Sequence, residues 1–118
     1  MDPLKEQIKN LKVCLVLPTY NHDTFIGKVL LDCIQYPIDI LIVNDGATDQ
    51  TQSIVDQIIN NNTNLQKIEQ ISFPKNKGKG AAIKAGAKWA INLGYQAIIT
   101  MDSDGQHFPS DLLRRSSS

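Results

Sequence analysis

Two short, uninterrupted apolar runs constrain the fold more than any other feature of the sequence. The first is "VCLVLP" at residues 13–18, and the second is the apolar run 40–43 within "DILIVND" at residues 39–45. Apolar runs of this length without polar alternation are typical of strands buried on both faces of a parallel sheet. Between them, residues 23–36 carry apolar side chains at helical spacing, and we predict that Asp23 caps this helix. The chain therefore opens as strand, helix, strand.

The same alternation continues along the chain. We predict a helix over 48–62, a more polar strand over 65–73, a helix over 78–94, a strand over 95–102 and a helix start at 109. The helix over 78–94 has small residues on one face, and we predict that this face lies close against the sheet. Strands that alternate with helices through short links predict an α/β fold. We expect a Rossmann-like parallel sheet of order 3-2-1-4, with the polar third strand at an edge and helices on both faces. The predicted organisation is a lead-in over 1–12, one domain over 13–113 and a disordered tail over 114–118.

Composition excludes several classes of protein. Twelve basic residues balance twelve acidic ones in a chain of 118 residues, so no electrostatic footprint for nucleic acid is present. The longest apolar run, 13–17, is far shorter than the ~20 residues of a membrane span. The first twelve residues lack the apolar core of a secretory signal. These features predict a cytoplasmic protein in which Cys14 and Cys33 are reduced and buried.

Polar clusters follow three of the predicted strands. "PTYNH" follows the first strand, "NDGATD" the second and "DSDGQH" the fourth. Ligands of open parallel sheets bind beyond the carboxyl ends of the strands, where the strand order reverses. We therefore predict that the three clusters converge on one site at this rim.

The cluster after the fourth strand holds two carboxylates, Asp102 and Asp104. Buried acids of this kind need a cation or a set of donors, and one or two carboxylates with substrate phosphates suit Mg²⁺ or Mn²⁺. Zinc is disfavoured, because His107 is the only nearby nitrogen ligand. The alternative is an ordinary Asp-Gly turn with solvated acids.

The cluster after the second strand places Asp45 where a carboxylate can accept hydrogen bonds from the ring N–H groups of a base. The alternative is that Asp45 only starts a turn at Gly46. We assign the capping of the following helix to Thr48 or Asp49. Tyr20 can present its flat face to a base, or it can serve packing alone.

The stretch "NKGKGAAIKAG" is neither a P-loop nor a dinucleotide fingerprint. No Gly-Lys-Ser/Thr follows at the required spacing, and Ile83 stands where the third fingerprint glycine belongs. A glycine-rich helix start with Lys77 and Lys79 remains, and its free backbone N–H groups favour an anion.

Taken together, these motifs resemble the nucleotide-sugar-binding half of inverting family 2 glycosyltransferases of the GT-A fold. The branch that uses dolichyl or polyprenyl phosphate is the most similar. The resemblance runs from about residue 13 to residue 112 and rests on four motifs in register, "LPTYNH", "VNDGATDQT", "NKGKGAA" and "MDSDGQHFP".

The resemblance implies roles for individual residues. Pro18 and Tyr20 would line the nucleotide pocket, Asp45 would bind the base, and the turn at Gly78 and Lys79 would lie near the ribose or the diphosphate. Asp102 would contact the ribose or the shell of the metal, and Asp104 would bind Mn²⁺ or Mg²⁺. Gln106 and His107 would lie near the acceptor. The chain departs from the family pattern at His22 and Asn44, where the family often has acidic residues.

The resemblance also implies partners. The donor would be a UDP- or GDP-linked sugar, and the acceptor a lipid phosphate at the cytoplasmic face of a membrane. We expect the acceptor half and any general base beyond residue 118, so that the chain alone would bind nucleotide without transferring sugar. An uncovered apolar surface would then favour a homo-oligomer. A third hypothesis is an unrelated α/β phosphate binder.

Overall fold

The computed structural model describes residues 12–63 and 66–101, and these form one parallel sheet covered by helices. The strands run in the order β3-β2-β1-β4, as predicted, and each pairs in parallel with its neighbours. In chain order the elements are β1 (Val13–Thr19), α1 (Ile26–Ile34), β2 (Asp39–Asn44), α2 (Thr51–Asn61), β3 (Ile68–Ser72), α3 (Lys79–Asn92) and β4 (Ala97–Thr100).

Both faces of the sheet are buried, which explains the uninterrupted apolar runs. Alternate residues of β1 point to opposite faces. Leu15 and Leu17 pack in the core beneath α1 and α2, whereas Cys14 and Val16 pack in the core beneath α3. Because helices cover β1 and β2 on both sides, neither strand has a solvent-facing side. Their sequences therefore do not alternate between apolar and polar residues.

The two cysteines are free and buried, as predicted, and they lie in the two different cores. Burial raises the pKa of the Cys14 thiol to about 11 and that of Cys33 to about 12. Both thiols therefore stay protonated at neutral pH and belong to the packing of the protein. No helix within residues 12–63 and 66–101 combines the length and apolar character that crossing a bilayer requires.

Small residues let α3 lie directly on the sheet. Its buried face consists of Ala82, Gly86 and Ala90, which confirms the close approach that the sequence predicted. A Cβ atom at Gly86 would lie only 2.5 Å from Cγ1 of Val16 and 3.3 Å from Cγ2 of Val43. The helix therefore has a fixed depth on the sheet, and this depth sets where its first residue, Lys79, sits.

We expect Gly86→Ala to destabilise the protein by about 1–3 kcal/mol, the usual effect of overpacking a core. Urea unfolding followed by circular dichroism measures the change. Gly80→Ala is the matched control, because a Cβ there meets nothing within 4 Å. This control should be neutral or should gain up to about 1 kcal/mol from helix propensity. Equal losses for the two variants would contradict the close approach.

The first helix begins later than the sequence predicted. It starts at Ile26, after a turn in which the carbonyl of His22 accepts hydrogen bonds from Phe25 and Ile26. The prediction that Asp23 caps this helix is wrong, since the carboxylate instead accepts the N–H of Gln50 at 3.4 Å. The side chain of Asp23 therefore bonds to the start of the next helix and not to its own.

Candidate functional site

The carboxyl ends of three adjacent strands finish level with one another. The register pairs Thr19 with Asn44, and Asn44 with Ser72. Three loops therefore leave the sheet side by side: loop A (residues 20–25), loop B (45–50) and loop C (73–78). The first two predicted polar clusters thus meet at one rim. The third, "DSDGQH", follows Met101 and lies outside the described residues, with Asp102, Asp104, Gln106 and His107.

Asp45 lies at the centre of this rim. Its backbone N–H donates to the carbonyl of Thr19 at 2.8 Å, and its side chain is only 3% exposed. The backbone N–H of Lys77 donates to Oδ1 at 2.7 Å, and that of Gly78 to Oδ2 at 2.9 Å. Nδ2 of Asn76 donates to Oδ2 at 3.0 Å. A buried carboxylate with three donors is stably accommodated, so Asp45 fastens loop C to the end of β2.

Gly46 allows loop C to come this close. Its φ is +73°, a left-handed conformation that favours glycine. A Cβ there would lie 2.3 Å from the backbone nitrogen of Asn76 and 2.4 Å from the carbonyl carbon of Lys75. The backbone of loop C therefore packs against the bare Cα of Gly46, and no side chain fits between the two loops.

Loops A and B are joined by their own hydrogen bonds. Oδ1 of Asn21 accepts the N–H groups of Thr48 at 2.8 Å and Asp49 at 3.3 Å. The N–H of Asp23 donates to Oδ2 of Asp49 at 3.1 Å, next to the contact of Asp23 with Gln50. Side chains of each loop thus satisfy backbone groups of the other, which makes the two loops one unit.

The N-cap of α2 is Gln50, which makes no side-chain capping hydrogen bond, so the prediction that Thr48 or Asp49 caps this helix is wrong. Asp49 lies just before the cap and contacts the start of the helix. Its Oδ1 accepts the N–H of Thr51, the first residue of the helix, at 2.9 Å. Partial burial raises the pKa of this carboxyl, but the hydrogen bonds from Thr51 and from the backbone of Asp23 outweigh that effect, so the pKa lies below its usual value. A lowered pKa means that the stabilisation is present above the unfolded-state pKa and is lost as the pH falls through the folded-state pKa.

The other predicted site residues border the same rim. Pro18 is buried in β1, and Tyr20, which opens loop A, is 43% exposed. Gly78 has a φ of +99° and is the N-cap of α3, which starts at the exposed Lys79. Lys77 places its Nζ 4.8 Å from the centre of the Phe73 ring, a distance that suits a cation–π contact.

The reasoning from sequence missed Asn21 and Asn76, the two amides that join the loops. Asn21 has a φ of +51°, and asparagine is among the few residues that adopt this conformation readily. A weak signal for Asn21 was therefore present in the polar cluster. Nothing local indicated Asn76, because its partner Asp45 lies 31 positions away.

The described carboxylates at the rim are already engaged. Asp23, Asp45 and Asp49 all accept backbone N–H groups of neighbouring loops. Within residues 12–63 and 66–101, no group of three or more His, Cys, Asp or Glu side chains is placed to hold a metal ion. The acids of this part of the chain therefore serve to join the loops, and the predicted metal ligands Asp102 and Asp104 lie outside the described residues.

Comparison with known proteins finds relatives over most of the chain. A family model for glycosyl transferase family 2 matches residues 14–115. The chain is 31% identical over 107 residues to the polyprenol monophosphomannose synthase of Mycolicibacterium smegmatis. It is 35% identical over 112 residues to the UDP-N-acetylglucosamine–dolichyl-phosphate N-acetylglucosaminyltransferase of Methanococcus voltae. These alignments cover 87% and 86% of this chain but 39% and 45% of the relatives, so the chain spans less than half of their length.

Solved structures share the fold. The mannosyltransferase PcManGT from Pyrobaculum calidifontis, in complex with GDP-Man and Mn²⁺, superposes with a TM-score of 0.71 at 22% identity, over 79% of this chain and 27% of that one. TarS 1–349 from S. aureus, in complex with UDP, superposes with a TM-score of 0.65 at 24% identity, over 80% of this chain and 28% of that one.

Proposed function

Because the chain belongs to glycosyl transferase family 2 and has the GT-A fold, we propose that its rim binds the donor of an inverting sugar transferase. The donor is a nucleoside diphosphate sugar, and the acceptor is a polyprenyl-type lipid phosphate. The observation that carries the proposal is the junction at Asp45, a buried carboxylate that fastens loop C to the end of β2, next to loops A and B. This junction builds a rigid floor for a nucleotide at the position where parallel sheets bind ligands.

Different residues around the junction bind different parts of the donor. Asp45 accepts a ring N–H of the base, and the exposed ring of Tyr20 stacks on the face of the base, next to Pro18. Gly78 and Lys79 begin α3, so backbone N–H groups, the helix dipole and an ammonium group all favour the anionic diphosphate there.

We propose Asp104, assisted by Asp102, as the ligand of Mn²⁺ or Mg²⁺. One or two carboxylates together with substrate phosphates are the usual ligands of Mg²⁺. When bound, the ion supplies charge stabilisation for the departing diphosphate. The acids of loops A and B already bind backbone N–H groups, and the family resemblance of "MDSDGQHFP" supports giving this role to Asp102 and Asp104.

The reaction exchanges one bond at the anomeric carbon of the sugar for another. An oxygen of the acceptor forms a new bond from the face opposite the leaving group, and the bond to the nucleoside diphosphate breaks with its electron pair on the diphosphate. An acceptor phosphate carries an ionised oxygen at neutral pH, since the second pKa of a phosphate ester is about 6. We assign no general base among the described residues. A lipid acceptor would place the protein in the cytoplasm, at the cytoplasmic face of a membrane.

The names of the relatives and of the structural neighbour support this class of donor and acceptor. One is named for transfer of mannose to a polyprenol phosphate, another for transfer of N-acetylglucosamine to dolichyl phosphate, and one structural neighbour holds GDP-Man with Mn²⁺. A second candidate function is nucleotide binding without sugar transfer.

Calorimetry tests the proposal. We expect UDP or GDP to bind in the presence of Mn²⁺, and Asp104→Ala to weaken this binding by at least about tenfold, as the loss of a charged ligand predicts. Asp56→Ala, on the exposed side of α2, is the control and should bind like the parent protein. Binding that ignores the metal, or no binding at all, would contradict a donor site. Turnover with a polyprenyl phosphate separates transfer from binding alone.

A further inference from the structure

The two oxygens of Asp45 differ in what they can still accept. An ionised carboxylate offers about four lone-pair positions, two on each oxygen. Oδ2 already accepts two hydrogen bonds, from Nδ2 of Asn76 at 3.0 Å and from the N–H of Gly78 at 2.9 Å. Oδ1 accepts one, from the N–H of Lys77 at 2.7 Å, and no other donor among residues 12–63 and 66–101 contacts it. The described residues therefore leave one position on Oδ1 for a ligand.

This vacancy distinguishes between bases. Uracil presents a single ring N–H on its pairing edge. Guanine presents a ring N–H beside an exocyclic amino group, a pair of donors that a carboxylate receives with both of its oxygens at once. Cytosine has no ring N–H there and would turn a lone pair toward Oδ1. Of these three bases, uracil is the one whose ring N–H has no second donor beside it, so a single free position on Oδ1 satisfies its pairing edge completely.

Building on the proposed donor site, we propose that Asp45 selects a uridine diphosphate sugar over a guanosine diphosphate sugar. With Oδ2 filled by loop C, the amino group of guanine has no acceptor on Asp45. An unsatisfied donor in a buried contact weakens binding strongly, and Asp45 is only 3% exposed. Tyr20 offers its ring face to any base, so the discrimination lies with Asp45.

Titration calorimetry of the chain with UDP, GDP, IDP and CDP in Mn²⁺ tests this selection. We expect UDP to bind about tenfold or more tightly than GDP, and CDP to bind more weakly than UDP. IDP is the sharpest probe, because its base is a purine with the ring N–H of guanine but without the amino group. IDP should bind about tenfold more tightly than GDP, because it lacks the donor that Asp45 leaves unsatisfied, and equal affinities for IDP and GDP would overturn the selection.

The opposite outcomes separate this inference from the proposed function. One such outcome is that GDP binds more tightly than UDP and that IDP binds about tenfold more weakly than GDP. It would show that both oxygens of Asp45 accept hydrogen bonds from the base. The selection would then be overturned while the donor site stands. A preference for CDP would overturn the selection as well. Failure of all four nucleotides to bind would overturn the donor site and the selection with it.

Asn76→Ala tests the cause of the selection. Removing the amide frees one position on Oδ2, so we expect affinity for GDP to rise several-fold relative to both UDP and IDP. A merely structural weakening of loop C would lower all affinities by a similar factor and leave these ratios unchanged, which would overturn the role of Oδ2. Asn60→Ala, at an exposed position of α2, should leave affinities and ratios as they are.

Discussion

Asp45→Asn should weaken nucleotide binding by about 100-fold or more and destabilise the protein by about 3 kcal/mol. The substitution keeps the shape of the side chain but replaces one acceptor oxygen with an NH₂ donor. In one orientation this donor faces Nδ2 of Asn76 and the N–H of Gly78, and in the other it faces the N–H of Lys77. Hydrogen bonds to a charged acceptor contribute about 1.5–3 kcal/mol each, and a buried donor left unpaired costs about 1–3 kcal/mol.

Two measurements check this expectation. Urea unfolding gives the change in stability, and calorimetry with UDP in Mn²⁺ should show an affinity reduced by about 100-fold or more, which corresponds to about 2.7 kcal/mol. Asp56→Asn is the control. Its Oδ1 accepts Nε2 of Gln70 at 2.7 Å at an exposed position, and an amide oxygen can accept the same bond. A variant of Asp45 that binds UDP normally would show that the loop junction is not needed for the site.

Gly46→Ala is expected to disrupt the same junction from the backbone side. The new Cβ would lie 2.3 Å from the nitrogen of Asn76 and 2.4 Å from the carbonyl carbon of Lys75, both of which are backbone atoms. Loop C must therefore move away from β2 and lose its hydrogen bonds to Asp45. An alanine in the left-handed conformation costs a further 1–2 kcal/mol, roughly. We expect a total loss of stability of at least about 3 kcal/mol and no detectable binding of UDP.

Gly94→Ala separates the steric effect from the conformational one. Gly94 also has a positive φ, +87°, but a Cβ there meets only the Nζ of Lys12, at 3.9 Å. It follows α3 and is remote from the rim. This variant should lose only about 1 kcal/mol and should bind UDP like the parent protein. If Gly46→Ala were as mild as Gly94→Ala in both assays, the close packing of loop C on Gly46 would be wrong.

Features that depend on neighbours in the sequence could be predicted. Apolar runs without alternation gave β1 and β2 as doubly buried strands, and the polar composition of β3 placed it at the edge of the sheet. The small residues of α3 gave its close packing. Each of these patterns reflects the burial of a whole helix or strand. Many neighbouring residues carry the same signal, so the pattern can be recognised in the sequence.

Features that depend on one long-range hydrogen bond could not be predicted. Asp23 is a suitable local cap by residue type, yet its carboxylate turns to Gln50, 27 positions away. Asn76 reaches Asp45 only because the crossover through β3 returns loop C to the end of β2. The metal ligands Asp102 and Asp104, the acceptor and self-association stay predictions.

The hydrogen bonds among the loops also determine when conformational entropy is lost. Ordering a flexible backbone costs about 1–2 kcal/mol per residue, and a pocket formed from mobile segments would have to meet that cost each time a ligand arrives. In this protein the entropy of ordering the loops is lost during folding. Hydrogen bonds within the protein offset that loss, and they are made by Asn21, Asp23, Asp45 and Asp49. The described part of the rim is therefore preorganised, so a ligand that binds there would not have to supply the free energy of ordering these loops.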